Sequence, residues 1–129
     1  MYQTNYHRPS SIDEAVALFG KGSDSKIDRA RAAATRAGAM IVFKGADTVI
    51  ASPDGAVRVA EASNPWLSTA GTGDVLAGAV GAVLAAEPQA AFEAACAGVW
   101  LHAEAARRLG AAFIADDLAQ ALTAARAGL

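Results

Sequence analysis

Residues 25–37 place Ile27, Ala30, Ala34 and Ala37 at the i, i+3/i+4 spacing of one helix face, and Gly38 supplies the stop. Upstream, Ser10, Ser11, Asp13 and Glu14 offer a cap and early acids for a short helix ending near Phe19. Gly20, Gly22, Ser23 and Asp24 read as a linker. Residues 40–43 form a short apolar run, Met-Ile-Val-Phe, which predicts a buried strand. Two further apolar runs, 48–51 and 56–60, flank Ser52-Pro53-Asp54-Gly55. Proline presets φ and glycine accepts positive φ, so a β-hairpin is expected there. Residues 61–71 read as a loop, followed by helices over 72–86, 89–109 and 116–127. Pro88 separates the first two of these helices, and Gly110 ends the second. Short strands, a hairpin and then three helices define an α/β pattern whose strand content is low for a complete doubly wound sheet.

The 129 residues suffice for one domain with a core. Hydrophobic content is 53%, and so much of it is alanine that closely packed small-residue helices are expected. Net charge is −2 and basic residues are scattered, so no nucleic-acid partner is indicated. The Arg29/Arg31 and Arg107/Arg108 groups are expected on solvated helix faces. Cys96, the only cysteine, excludes an internal disulfide and reads as a buried structural thiol. No secretory leader starts the sequence, and its longest apolar run is too short for a bilayer. No membrane association and a cytoplasmic location are the expectation.

The densest chemistry lies in Thr69-Ala70-Gly71-Thr72-Gly73-Asp74, immediately before an apolar helix. Backbone N–H groups at a helix N-terminus favour anions, and glycines let a phosphate come close. An aspartate there suits a general base beside a bound phosphate. The alternative is an ordinary helix start capped by Thr72 or Asp74. A second group, Lys44-Gly45-Ala46-Asp47-Thr48, follows the strand over 40–43. Lysine offers a mobile cation for phosphate, glycine a close approach and threonine a hydroxyl. Its alternative is a plain strand–turn–strand with Lys44 and Asp47 solvated. Trp66 either walls a pocket or packs on its own loop, with packing preferred. Small neighbours one turn from His102 make it a helix-packing residue rather than a ligand. Asp116 and Asp117 cap the last helix, and His7 has no assigned role.

Residues 64–78, Asn-Pro-Trp-Leu-Ser-Thr-Ala-Gly-Thr-Gly-Asp-Val-Leu-Ala-Gly, resemble the signature of the NAD(P)H-hydrate dehydratases, repair enzymes of the ribokinase-like superfamily. Residues 42–50, Val-Phe-Lys-Gly-Ala-Asp-Thr-Val-Ile, resemble the family's Lys-Gly-x-x-Thr element, in matching order and spacing. Residues 95–103 and 113–118 resemble its closing helices. The resemblance covers residues 23–129 and implies the C-terminal half of a ribokinase-like fold behind an atypical segment, residues 1–22. It implies adenine-nucleotide contacts at Lys44, Gly45, Ala46, Asp47, Thr48 and Gly73. It further implies an anion hole at Gly71, Thr72 and Gly73, a catalytic base at Asp74, and substrate contacts at Asn64 and Asp74. For Asn64 and Pro65, a turn before the helix is at least as good an account.

The implied reaction phosphorylates the hydroxyl of hydrated NADH or NADPH and then eliminates phosphate. ADP or ATP is the expected donor, ADP being favoured by bacterial members, with Mg²⁺ screening the phosphates. No resident metal site is assigned. A related small-molecule kinase, or a fragment that binds nucleotide without turnover, are the competing functions. Complete members of the family are about twice this length, and their N-terminal half has no counterpart here. The first twenty residues resemble the start of the FAD-binding medium subunits of molybdenum hydroxylases, over too short a stretch to carry a flavin site. Half of a sheet leaves an open strand edge, so a homo-oligomer or a complementing chain is the expected partner.

Overall fold

A computed structural model describes residues 25–61 and 64–128. The short helix expected to end near Phe19, the linker after it and the whole atypical N-terminal segment, residues 1–22, lie outside the described residues. Helix α1 spans Lys26–Ala37. Ser25 caps it, its Oγ accepting from Asp28 N–H, and Gly38 closes it at φ 61°. Three strands follow: β1 (Ile41–Phe43), β2 (Asp47–Ala51) and β3 (Val57–Glu61). After a 3₁₀ turn at Pro65–Ser68 come α2 (Thr72–Ala86), α3 (Ala91–Leu109) and α4 (Ala115–Arg126).

The strands form an antiparallel sheet in the order β1-β2-β3, with Phe43 opposite Val49 and Val49 opposite Val59. The turn between β2 and β3 is where Pro53, Asp54 and Gly55 predict it, and Gly55 takes φ 95°. One expectation needs correction: the three β1 residues are only half-buried, because β1 is an edge strand of the described sheet. The connection from β1 to β2 is a hairpin turn over residues 44–46.

Helix α1 covers one sheet face through Ala30 and Ala34, against Val49 and Ala51. Its buried residues are Ala30, Ala33 and Ala34, whereas Ile27 and Ala37 at its two ends are exposed. Only the middle of the helix meets the sheet, so the predicted stripe is cut at both ends. The other face packs Ile50 and Val42 against Leu76, Ala95 and Val99 of α2 and α3. A third cluster, with Leu101, Phe113 and Leu118 at its centre, joins α3 and α4. Alanine and glycine bring the helices close: a Cβ built on Gly98 would lie 2.8 Å from Val80 Cα. Cys96 is half-buried in the second cluster, and burial pushes its thiol pKa up.

The arginine pairs are not simply solvated. Arg29 lies over the Phe43 ring, 5.2 Å from its centroid. Glu104 accepts from Arg107 and Arg108, which hold its carboxyl down to about 2. Arg108 also donates to the Ala124 carbonyl at 2.6 Å, tying α3 to α4. Among the described residues, no helix is long and apolar enough to cross a membrane.

Candidate active site

The turn over 44–47 and the loop over 64–74 face one another across a cavity of about 600 Å³. Lys44, Gly45, Ala46, Thr48 and Asn64 line it. Ala60, Leu76, Val99 and His102 form further wall, and they were not singled out for binding. Asp47, Gly71, Thr72, Gly73 and Asp74 do not line this cavity. Apart from Asp47, which pairs with Lys26, the candidate residues therefore fall into two groups, one at the cavity and one at the start of α2.

Lys44 joins the two groups. Its Nζ donates to the Leu67 carbonyl at 3.0 Å and to Thr72 Oγ1 at 3.1 Å. Partial burial pushes its pKa below the ordinary lysine value. Asp47 is engaged elsewhere. Lys26 Nζ donates to its carboxylate at 2.7 Å and also to its main-chain carbonyl. That hydrogen bond holds the Asp47 carboxyl below its usual range. Gly45 leaves room for this pair, because a Cβ there would lie 2.7 Å from Lys26 Nζ.

Gly71, not Thr72 or Asp74, is the N-cap of α2, and no side chain closes the cap. It needs to be glycine for two reasons: φ is 85°, and a Cβ would stand 2.9 Å from Ala115 Cβ. Thr72 is turned inward and is 1% exposed. Its Oγ1 lies 2.7 Å from the Leu67 carbonyl and 2.9 Å from the Thr69 carbonyl. The Asp74 side chain is exposed in the first turn of α2, so its carboxylate is not spent on capping. The Gly71 carbonyl accepts from both Asp74 N–H and Val75 N–H, and Thr72 N–H reaches Thr69 O at 3.4 Å. Gly73 N–H takes no part in these loop contacts.

Asn64 is buried and its side chain is a structural pin. Its Nδ2 donates to Ala106 O at 2.9 Å and Gly110 O at 2.6 Å, while Oδ1 accepts from Trp66 N–H. These bonds anchor the loop to the end of α3. Trp66 itself is 43% exposed, so its ring does not pack fully on its loop. His102 is 3% exposed, as a helix-packing residue should be. Its Nε2–H donates to the Thr72 carbonyl at 2.8 Å, which fixes the proton on Nε2. Burial, with Lys44 nearby, lowers its pKa. The small residue one turn before it, Gly98, signals the buried face, but nothing local in the sequence names Thr72 as partner. Asp117 accepts from Ile114 N–H at 3.0 Å and so caps α4 as expected.

The fold is an α/β unit in which a lysine turn packs against a glycine-opened helix start. The comparison with known proteins goes further. The profile of the NAD(P)H-hydrate dehydratase family matches residues 12–126, and the chain belongs to that family. The match begins inside the stretch set apart above as atypical.

The chain is 46% identical over 98 residues to the ADP-dependent (S)-NAD(P)H-hydrate dehydratase of Neisseria meningitidis serogroup B, covering 72% of this chain and 32% of that protein. It is 38% identical over 104 residues to the bifunctional NAD(P)H-hydrate repair enzyme Nnr of Escherichia coli, covering 78% of this chain and 20% of that protein. The corresponding Nnr of Mycobacterium leprae is 47% identical over 83 residues, or 64% of this chain and 17% of that protein. The chain thus spans about a third or less of the length of these relatives.

Proposed function

We propose that this chain carries the nucleotide-binding and proton-accepting loops of an ADP-dependent NAD(P)H-hydrate dehydratase. The observation that carries the reading is the junction of the two motifs, Lys44 Nζ at 3.0 Å from Leu67 O and 3.1 Å from Thr72 Oγ1. Two segments separated in sequence thereby meet at one cavity, and the second continues into the helix start that carries the exposed Asp74. Relatives named as ADP-dependent dehydratases favour ADP over ATP as the donor.

In this reading Lys44, Gly45, Ala46, Asp47 and Thr48 contact the nucleotide. Asp47 acts through its main chain or after releasing Lys26. Gly71, Thr72 and Gly73 face the transferring phosphoryl group, with Gly73 N–H the amide best placed to donate. Asp74 accepts the proton of the substrate hydroxyl as its oxygen attacks the terminal phosphorus of ADP, and AMP leaves with the bridging oxygen. The C–O bond of the new phosphoester then breaks toward phosphate. The neighbouring C–H pair becomes the restored ring double bond, and its proton is lost to solvent. Asn64 positions the loop rather than the substrate, because its amide is engaged by Ala106, Gly110 and Trp66. Mg²⁺ would screen the phosphates, but the described residues gather no group of three or more His, Cys, Asp or Glu that could hold a metal.

The test is recovery of reduced-nicotinamide absorbance from hydrated NADH with Mg²⁺ and ADP or ATP. Asp74→Asn should lower turnover by roughly 10²- to 10⁴-fold, and undiminished turnover removes Asp74 from the role of base. The short span against the relatives supports a second reading, a fragment that binds nucleotide and needs a second chain to complete its substrate site. Equilibrium binding of ADP without turnover, and turnover regained on adding a complementing chain, would identify it. A stable phosphorylated product without elimination would mark a kinase instead.

A further inference from the structure

Thr72 is gripped from two sides by elements that do not otherwise share a motif. Lys44, from the turn between β1 and β2, holds its hydroxyl at 3.1 Å. His102, from the middle of α3, holds its carbonyl at 2.8 Å. Thr72 and His102 are 1% and 3% exposed, so water does not compete for the bond between them. A carbonyl oxygen has two lone pairs, so Thr72 O can serve the helix and the imidazole together. Gly71 beside it has no side chain to restrain the entry to α2, and the cap is made without any side chain. The orientation of the first-turn amides is therefore left to Thr72 and to what holds it.

We infer that His102 is a positioning residue that clamps the first turn of α2 through the Thr72 carbonyl, so that the amides over 72–74 are fixed before any phosphate arrives. This inference rests on the reading of that turn as the anion-holding loop. The clamp acts on the phosphate end of a nucleotide and leaves the nucleoside end untouched. It also couples the two motifs, since the residue it holds is the one Lys44 contacts. A rigid donor array costs no reorganisation on binding, which is where such a clamp contributes.

Two variants separate positioning from bulk packing. His102→Phe keeps an aromatic ring, slightly larger, and removes the donor, whereas His102→Gln avoids the added bulk and places an amide N–H at similar reach. In the ligand-free chain, amide hydrogen exchange over 72–75 should quicken roughly 3- to 10-fold in His102→Phe and recover in His102→Gln. Ala34→Gly, which loosens α1 against the sheet, should not produce that local change. Exchange over 72–75 that stays at the wild-type rate, or that rises equally in all helices, overturns the clamp.

Where the wild type binds ADP, His102→Phe should weaken ADP roughly 3- to 10-fold while adenosine affinity holds. Equal loss for both ligands would make His102 merely a wall of the cavity and overturn the inference. If the wild type binds no ADP, the nucleotide reading fails, and the exchange measurement decides the clamp.

Discussion

The turn over 44–47 is braced from outside by the Lys26–Asp47 pair, whose side chains are 23% and 48% exposed. The loop over 64–74 is braced from inside, by Asn64, Thr72 and His102, each less than a tenth exposed. The first arrangement uses screened charges on long side chains, which hold weakly and rearrange readily. The second uses hydrogen bonds out of water, which are costly to break because the orphaned partner stays buried. One wall of the cavity is thus built to yield and the other to stay fixed.

If that contrast is right, the fixed wall should be the fragile one under substitution. Gly71→Ala sets a left-handed backbone against an L side chain and drives a Cβ to 2.9 Å from Ala115 Cβ. The expected loss is about 3 kcal/mol, read from the denaturant midpoint. Gly73→Ala, two residues away, meets nothing within 4 Å and should be near neutral in stability. Equal losses at both positions would mean that the loop is sensitive throughout rather than pinned at Gly71.

Asn64→Ala comes next. It leaves Ala106 O, Gly110 O and Trp66 N–H without their present partner, and about 1–3 kcal/mol should be lost. If instead Asn64 serves the substrate, stability would hold and only KM would rise.

A smaller effect should appear with pH. Burial lowers the folded-state pKa of His102 below 6.5, so the unfolded chain binds the proton more readily. The contribution of neutral His102 is complete above the ordinary imidazole range and is lost as pH falls through it toward the lowered folded value. His102→Gln should flatten this limb of the stability profile. An unchanged limb would move the titration to another group.

How far the sequence shows these arrangements follows from the range of the interactions. Local signals suffice for Ser25, Gly38, Gly55 and Asp117, whose bonds or backbone angles are settled within a few residues. The limits of α2 are readable too, between Gly71 and Glu87. Tertiary contacts are not. Nothing near Asn64 in sequence points to carbonyls 42 and 46 residues away, or near His102 to Thr72, 30 residues away. The apolar run at Ile41–Phe43 looks like an interior strand, because a run of that kind does not say how many neighbours it will have. The contacts that hold the two loops in place emerge only when the helices are packed.

The smallest expected loss tests the yielding wall. Lys26→Met removes the partner of Asp47, and stability should fall by less than in Gly71→Ala or Asn64→Ala. The Asp47 carboxyl, held low by Lys26, should return toward its ordinary value in a side-chain titration followed by NMR. In the parent chain the pair's contribution is present above the ordinary carboxylate range and fades as pH falls through the lowered folded value. Gly45 gives a second handle, because its missing Cβ is what lets Lys26 Nζ pass at 2.7 Å. Gly45→Ala should displace the ammonium and weaken the pair in the parent chain, yet do less in the Lys26→Met background. Such non-additivity would show that Gly45 serves the ion pair. Strict additivity would assign its bareness to the approach of a ligand, and the brace at this turn would then be incidental to the site.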